Sequence, residues 1–469
     1  NIVNTRAIVD PDIALKLTGR RGKNTFGVLY ASDNAPGNYS QDERTGLREC
    51  QLRRLTDPSI ICGIERFLDQ NADIGIIRVK RDIGRQHNIG FFATTYNFPD
   101  RHNHTTGFDG RFRLNPKTVA EFQIVGTNSR RFFYDPDLVR NLYRTGNGFG
   151  YSYLIERSDR NWFISANGVG RTRDYRADVG FTPRNNTNQH RSFIQYQSER
   201  DPKQKIIFKR LFNESLLSHD WQGRTQNYNT NTQGMLALQR QTFIGGGIQL
   251  GYERVFEYEF GANRSAARQG AFFGNSERSA HSREIYTFIE TSPVKQIFAL
   301  LVLSYTQGQL DYDLGAGPNF PRVSAAALAN PNNGFDPGPG NQLYIESSIR
   351  YQPTSELQVQ LNYNKLRLVR DDTGRTAFDD NIFSLRSTYQ FTRNTFARLR
   401  VDYSTVSTRV RPQFVVGWTP SPGTALYAGY NDDFNRNGFN PFTGDLEPGF
   451  RSNGRTFFIK ASYLFRKSF

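Results

Sequence analysis

The chain has 469 residues, a formal net charge of +16, and a composition that is 37% hydrophobic and 14% aromatic. Its scattered apolar residues do not form the aliphatic runs of a large soluble core, and none approaches the roughly 18 uninterrupted apolar residues of a membrane-spanning helix. Of the 60 basic residues, 49 are arginines that alternate with apolar residues along the whole chain instead of clustering. This spread argues against nucleic acid as a partner.

The N-terminal region predicts a first strand at Ile2–Val9. From Asp12 onward the pattern gives 21 strands, and bacterial outer-membrane barrels have an even number. Including Ile2–Val9 therefore gives about 22 strands, with a range of 20–24, and places both termini in the periplasm. Because Asn1 is not preceded by a signal peptide, we expect that an upstream part has been processed or left out.

Segment 33–71 is the first long irregular stretch, with a mild helical tendency at Ile64–Gln70. It contains both cysteines, Cys50 and Cys62. In an oxidising envelope such a pair predicts a loop-closing disulfide, and the segment lacks the His or Cys neighbours that a metal pair needs. We interpret the segment as a candidate loop that occludes the interior of a barrel.

The decisive pattern is an alternation of apolar and polar residues with period two. Between residues 381 and 391, Phe383 and Leu385 alternate with Ser384 and Arg386. Because successive strand residues point to opposite faces, such a segment has one apolar and one polar surface. The same alternation recurs at 342–351, 357–364 and 395–403.

The connections between strands are of two kinds. Short turns, such as those at 84–87 and 352–355, alternate with mostly longer stretches, as in outer-membrane barrels with short periplasmic turns and long extracellular loops. The long connections are predicted at 33–71, 131–147, 171–187, 257–281, 309–340 and 431–454. The sequence thus predicts an all-β fold, a transmembrane antiparallel β-barrel that occupies residues 1–469 as one domain in the outer membrane.

The polar strand faces supply the candidate site. Guanidinium groups in a lumen favour anions, and amide side chains suit hydroxyl-rich solutes. The alternative is that these side chains only hydrate a lumen plugged by its own loops. The predicted channel-lining residues are Arg350, Gln358, Gln360, Asn362, Arg386, Arg398 and Arg400.

Two weaker patterns concern metals. Asp433, Asn435 and Asn437 have the spacing that starts a calcium loop, but Gly444 stands where a bidentate Glu is needed, and a polar surface loop is the alternative. His102 and His104 share a strand face and give half a metal site at most. No cofactor is predicted. Because there is no Gly-x-Ser-x-Gly elbow and no catalytic constellation, the chain is not expected to be an enzyme.

The C-terminal residues 455–469 alternate in the same way and end on Phe469. This ending resembles the terminal strand that the outer-membrane barrel assembly machinery recognises, although Lys467 departs from it. The assembly machinery and outer-membrane lipid are therefore the expected partners.

Several segments resemble an uncharacterised bacterial outer-membrane barrel family that follows a domain similar to family-9 carbohydrate-binding modules. They are Asp10–Gly19, Arg78–Arg85, Asn88–Phe91 and Tyr463–Arg466. The resemblance implies that a sugar-binding-like domain precedes residue 1 in the complete protein, and it implies no catalytic residues.

Three functional hypotheses follow. The first is a channel for small polar or anionic solutes, with sugar-related solutes included. The second is the barrel of an energised transporter, and the third is a plugged barrel that serves as scaffold or sleeve for a protein partner in an envelope complex.

Overall fold

The computed structural model describes residues 4–182, 184–439 and 445–464. In these residues, 21 strands form one antiparallel sheet, a number within the predicted range. Strands that follow each other in the chain pair with each other, as in the hairpins of β1 with β2 and of β6 with β7. No helix in the described ranges is long and apolar enough to cross a membrane.

The strands are 10 to 19 residues long. Their bounds are β1 Pro11–Arg21, β2 Asn24–Asp33, β3 Ala72–Ile83, β4 His87–Phe98, β5 Arg101–Asn115, β6 Thr118–Asp135, β7 Arg140–Ser158, β8 Trp162–Arg171, β9 Thr187–Gln197, β10 Ile206–His219, β11 Thr225–Leu238, β12 Thr242–Phe256, β13 Glu277–Val294, β14 Ile297–Asp311, β15 Gly338–Tyr351, β16 Leu357–Arg370, β17 Thr376–Gln390, β18 Thr395–Ser404, β19 Arg409–Ser421, β20 Thr424–Phe439 and β21 Leu446–Ser462. The helices are α1 Gln41–Thr56, α2 Glu257–Phe260 and α3 Ala325–Ala329.

The chain divides into two compact units. Unit 1 comprises Asn1–Ile194 and Ser215–Tyr228, and unit 2 comprises Gln195–Glu214 and Asn229–Phe469. The prediction of a single domain over residues 1–469 stays a prediction.

In unit 2, apolar residues of the strands are exposed beside neighbouring polar residues that are covered. Leu361 pairs with Leu385, and the next row pairs Asn362 with Ser384. Leu361 is 46% exposed, whereas Ser384 is only 8% exposed. A water-soluble sheet would bury the leucine row, so this inverted pattern is that of strands whose outer face meets lipid.

The prediction of a strand at Ile2–Val9 is wrong for residues 4–9, the part of that range that the structure describes. Thr5–Ala7 forms a 3-10 helix, and β1 begins only at Pro11. The buried carboxylate of Asp33 accepts hydrogen bonds from the backbone N–H groups of Val9 and Asp10, at 3.2 and 2.7 Å. These bonds to a side chain replace the ladder bonds that a strand would make.

Two predicted long loops are largely strand. Residues 131–147 lie mostly in the hairpin of β6 and β7, where Phe133 pairs with Leu142. Residues 431–439 and 446–454 belong to β20 and β21, and Phe439 pairs with Leu446. The polar residues of these stretches suggested loops, but cross-strand pairing continues through them because strand pairing is a backbone property that polar side chains do not prevent.

The connection between β2 and β3 contains α1 and the predicted disulfide between Cys50 and Cys62, whose Cα atoms are 5.8 Å apart. The helix of this connection is α1 at residues 41–56, and not the stretch Ile64–Gln70 for which the sequence predicts a helical tendency. The helix starts there because Ser40 and Glu43 form a capping box, in which each side chain bonds the other's backbone N–H. That this segment occludes a lumen stays a prediction.

Candidate functional site

A polar row crosses the four strands β15 to β18 of unit 2. Gln360 lies between Arg350 and Arg386 in the register, and Arg386 pairs with Arg400. A second row places Gln358 beside Thr388, which pairs with Arg398, and a third begins with Asn362. Strand pairing therefore brings the seven predicted channel-lining residues onto one continuous patch of the sheet, which we call the arginine face.

The arginine face carries two cavities. The first has a volume of 490 Å³ and is lined in part by Gln360, Asn362, Arg386 and Arg400. The second has a volume of 460 Å³ and shares Gln360, Arg386 and Arg400 while adding Arg398 and Gln358. Arg350 lines neither cavity, and its guanidinium lies 5.0 Å from the centre of the Phe298 ring.

The charges of this face are unevenly compensated. Arg400 forms an ion pair with Asp402 at 2.6 Å. Arg386 and Arg398 have no carboxylate partner in the part of the chain that the structure describes, and Arg398 lies 5.3 Å from the centre of the Phe396 ring. Two guanidinium groups are thus left with uncompensated charge for an anionic solute.

The amide side chains next to these arginines are tied to one another. Gln360 Nε2 donates to Asn362 Oδ1 at 2.9 Å, and Ser348 Oγ donates to the same oxygen at 2.8 Å. These bonds fix the amide orientations, so their remaining donors and acceptors can meet hydroxyl groups in defined positions.

The arginine face extends beyond the predicted residues. Arg400 pairs with Gln413, which pairs in turn with Asn431, and Arg409 and Arg411 line the first cavity. The alternation of polar residues at 409, 411 and 413 was a signal that could have identified them.

The weak calcium pattern lies mainly on a strand. Asp433 and Asn435 belong to β20, where alternate residues point to one face and cannot wrap around an ion as a loop does. Asp433 lies 3.8 Å from both Arg409 and Arg411, which compensate its charge. Residue 444 lies outside the described residues.

The His102 and His104 rings stack with their centres 5.0 Å apart. His104 Nδ1 lies 2.9 Å from Thr95 Oγ1, within hydrogen-bond distance. Over the described ranges, no group of three or more His, Cys, Asp or Glu side chains is placed to hold a metal ion.

Unit 1 has a feature that the sequence reasoning missed. Residues 172–182, in the connection between β8 and β9, pack against the sheet. Tyr175 and Ala177 form a buried cluster with Phe92 of β4 and Val125 of β6. We call residues 172–182 the inward segment.

Two ion-pair sites hold the inward segment. Asp178, whose side chain is 8% exposed, lies 2.9 Å from Arg101 and 3.2 Å from Arg131. Asp174 lies 2.7 Å from Arg144, whose hydrogen bonds hold the pKa of Asp174 below its usual value. Both carboxylates belong to the inward segment and all three arginines belong to strands of the sheet. These ion pairs therefore hold the inward segment against the sheet.

The backbone of the inward segment can lie this close to β7 only where β7 has no side chain, and Gly148 is such a position. A β-carbon at Gly148 would lie 2.3 Å from Tyr175 Cα. Glycines at 146, 148 and 150 share one face of β7, a spacing from which a close backbone approach could have been inferred.

Comparison with known proteins finds similarity at the level of structure. No protein-family model and no curated protein matches the chain. The siderophore receptor PirA of Pseudomonas aeruginosa superposes with a TM-score of 0.50 at 10% identity, covering 97% of this chain and 77% of the receptor. The ferric enterobactin receptor PfeA of the same organism, in complex with BCV-L6, gives a TM-score of 0.54 at 11% identity, covering 96% of this chain and 78% of that one.

At this identity the likeness concerns the fold alone. Together with the antiparallel sheet and its exposed apolar face, it confirms the predicted fold class, a transmembrane antiparallel β-barrel of the outer-membrane type.

Proposed function

We propose that the chain is an outer-membrane transport barrel whose arginine face conducts small polar or anionic solutes. The observation that carries the proposal is the continuous polar patch in which Arg386 and Arg398 lack a carboxylate partner among the described residues. In a wall of low dielectric constant such charges attract anions and repel cations. The adjoining amides extend the proposal to hydroxyl-rich solutes, sugars included.

The test is ion selectivity of the purified protein in planar bilayers. We expect discrete conductance with anion preference, and we expect Arg386→Glu and Arg398→Glu each to lower the anion-to-cation permeability ratio at least about twofold. Arg400→Glu should act more weakly, because Asp402 already compensates Arg400.

The matched control is Arg393→Glu, which makes the same charge change at an exposed position in the short turn between β17 and β18. It should leave selectivity nearly unchanged. Equal effects of all four variants would mean that overall charge, and not the arginine face, sets selectivity. An electrically silent wild-type barrel would contradict open conduction altogether.

Two further roles have specific support. The likeness to a siderophore receptor and a ferric enterobactin receptor supports the barrel of an energised transporter. The inward segment supports a barrel plugged by its own loops, with a scaffold or sleeve role beside a protein partner. Uptake that stops when the proton gradient is dissipated would favour the energised transporter, and a silent barrel recovered with an envelope protein would favour the scaffold.

The placement of the chain in the envelope is part of this proposal. It includes contact with outer-membrane lipid, periplasmic termini, and recognition by the barrel assembly machinery through Phe469, which lies outside the described residues. It also includes an upstream sugar-binding-like domain, as the family resemblance implies.

A further inference from the structure

Unit 1 contains a cavity of 590 Å³ beside the inward segment. Its apolar lining comes from Ile76, Phe92, Val125 and Val169, and Tyr175 of the inward segment also lines it. Apolar walls with a few polar groups in a volume of this size are typical of sites for small organic ligands.

One cation of this cavity is uncompensated. Arg78 also lines the cavity, but its guanidinium is bonded to both carboxylate oxygens of Asp109. Arg171 pairs in the register with Gly150 and lies on the same strand face as Val169. Arg171 has no carboxylate partner in the part of the chain that the structure describes.

The arrangement around Tyr175 places the charge of Arg171 close to the cavity wall. Burial raises the pKa of Tyr175, and the nearby positive charge of Arg171 acts in the opposite direction. A β-carbon at Gly150 would lie 2.8 Å from the Tyr175 ring, so the glycine makes room for the ring. The wall thus contains both an aromatic ring and a cation.

We propose that this cavity binds a small carboxylic acid that carries an apolar ring or short chain. The carboxylate pairs with Arg171, whose planar guanidinium matches a carboxylate, and the apolar part contacts Phe92, Val125 and Val169. Gln123 and Ser152, also in the lining, provide hydrogen-bonding groups for further oxygens of the ligand. The site shares no residue with the arginine face and does not depend on conduction.

The protein contains a reporter for this site. Trp221 Nε1 donates a hydrogen bond to the backbone oxygen of Arg171 at 2.7 Å, and the chain has only three tryptophans. Phenylacetate can be titrated into the detergent-purified full chain while tryptophan fluorescence and calorimetric heat are followed. Phenylethanol, which has the ring without the charge, and acetate, which has the charge without the ring, are the comparison probes.

We expect phenylacetate to bind at least about tenfold more tightly than either comparison probe, since each probe lacks one of the two interactions. Arg171→Gln should remove this preference over phenylethanol. Arg173→Gln, an exposed neighbour in the inward segment, should retain it. In Trp221→Phe the fluorescence change should disappear while the calorimetric affinity stays.

Three results would overturn the site. They are the absence of saturable phenylacetate binding to the wild type, equal affinities for the three probes, and unchanged preference in a folded Arg171→Gln variant. If Arg171→Gln does not fold, Val169→Phe, which fills the cavity with an apolar ring, takes its place and should abolish phenylacetate binding. Retained binding in that variant would also exclude the cavity.

Discussion

Individual residues decide how closely the inward segment lies on the sheet. The two lie very close at Gly148, where any side chain would collide with the backbone of Tyr175. A collision with backbone cannot be relieved by a rotamer change, so one of the two chain segments must move.

We therefore expect Gly148→Ala to loosen the inward segment at a cost of about 1–3 kcal/mol. Faster trypsin cleavage at Arg173 or Arg176, measured by mass spectrometry, would report the change. Gly126→Ala is the control, since nothing lies within 4 Å of a β-carbon built there. Equal cleavage rates in the two variants would argue against the packing described.

At the same scale, the candidate site was predictable only in part. Alternation identified Arg386 and Arg398 as polar-face residues because strand geometry alone assigns the face. It could not show that Asp402 compensates Arg400, since the alternation assigns faces and leaves side-chain geometry open. Nor could it find the cavity beside Tyr175, which depends on contacts between distant parts of the chain.

At the scale of elements, α1 and the residues after it are held together by ionic contacts besides the disulfide. Glu65 lies 2.5 Å from Arg54 and also accepts a hydrogen bond from Gln51. Bonds from Arg54, with a smaller contribution from Gln51, lower the pKa of Glu65 to about 2. Because the folded-state pKa is depressed, the stabilisation is present above the ordinary pKa near 4.5 and is lost as the pH falls through about 2.

Pepsin, which is active in acid, can test this dependence. At pH 4 the wild type should resist cleavage between residues 53 and 66 better than Glu65→Gln does. At pH 2 the two proteins should become similar as Glu65 takes up its proton. A constant difference between them across this range would show that the ionised carboxylate is not what stabilises the region.

The inward segment is the second element whose attachment can be tested. Asp178→Asn leaves Arg101 and Arg131 without their shared carboxylate, at a cost of about 1–3 kcal/mol. We expect faster hydrogen exchange across residues 172–182 than in the wild type. Asp159→Asn, which breaks an exposed pair with Lys117 in a short turn, should leave this exchange unchanged.

For the whole molecule, the sequence was sufficient to predict the class of fold because lipid and a polar interior impose period two on nearly every strand. It could not predict where hairpins end, as in β6 and β7, because pairing outside the membrane needs no apolar residues. The absence of the predicted first strand, which leaves 21 strands in the described residues, also could not be predicted. Asp33 withdraws the backbone of Val9 and Asp10 from the sheet, and no periodicity encodes that bond.

The two faces of a strand should respond differently to the same charge. Leu361→Lys places an ammonium on the exposed apolar face of β16, further from the strand end, and should cost up to about 2–4 kcal/mol, the cost of such a charge near the bilayer midplane. Gln360→Lys, one residue earlier on the arginine face, should cost much less. Unfolding of both variants in phospholipid vesicles by denaturant would measure the difference, and equal costs would contradict the assignment of faces.

Pairing between neighbours in sequence also affects how such a sheet can change over evolutionary time. Since β13–β14 and β15–β16 are hairpins joined by short turns, each pair is a nearly self-contained length of chain. Duplication or loss of the DNA encoding one hairpin would alter the perimeter of the wall by two strands and leave the other hydrogen-bond ladders in register. A lineage could thus add or remove strands in discrete steps, each preserving the alternation that the bilayer requires.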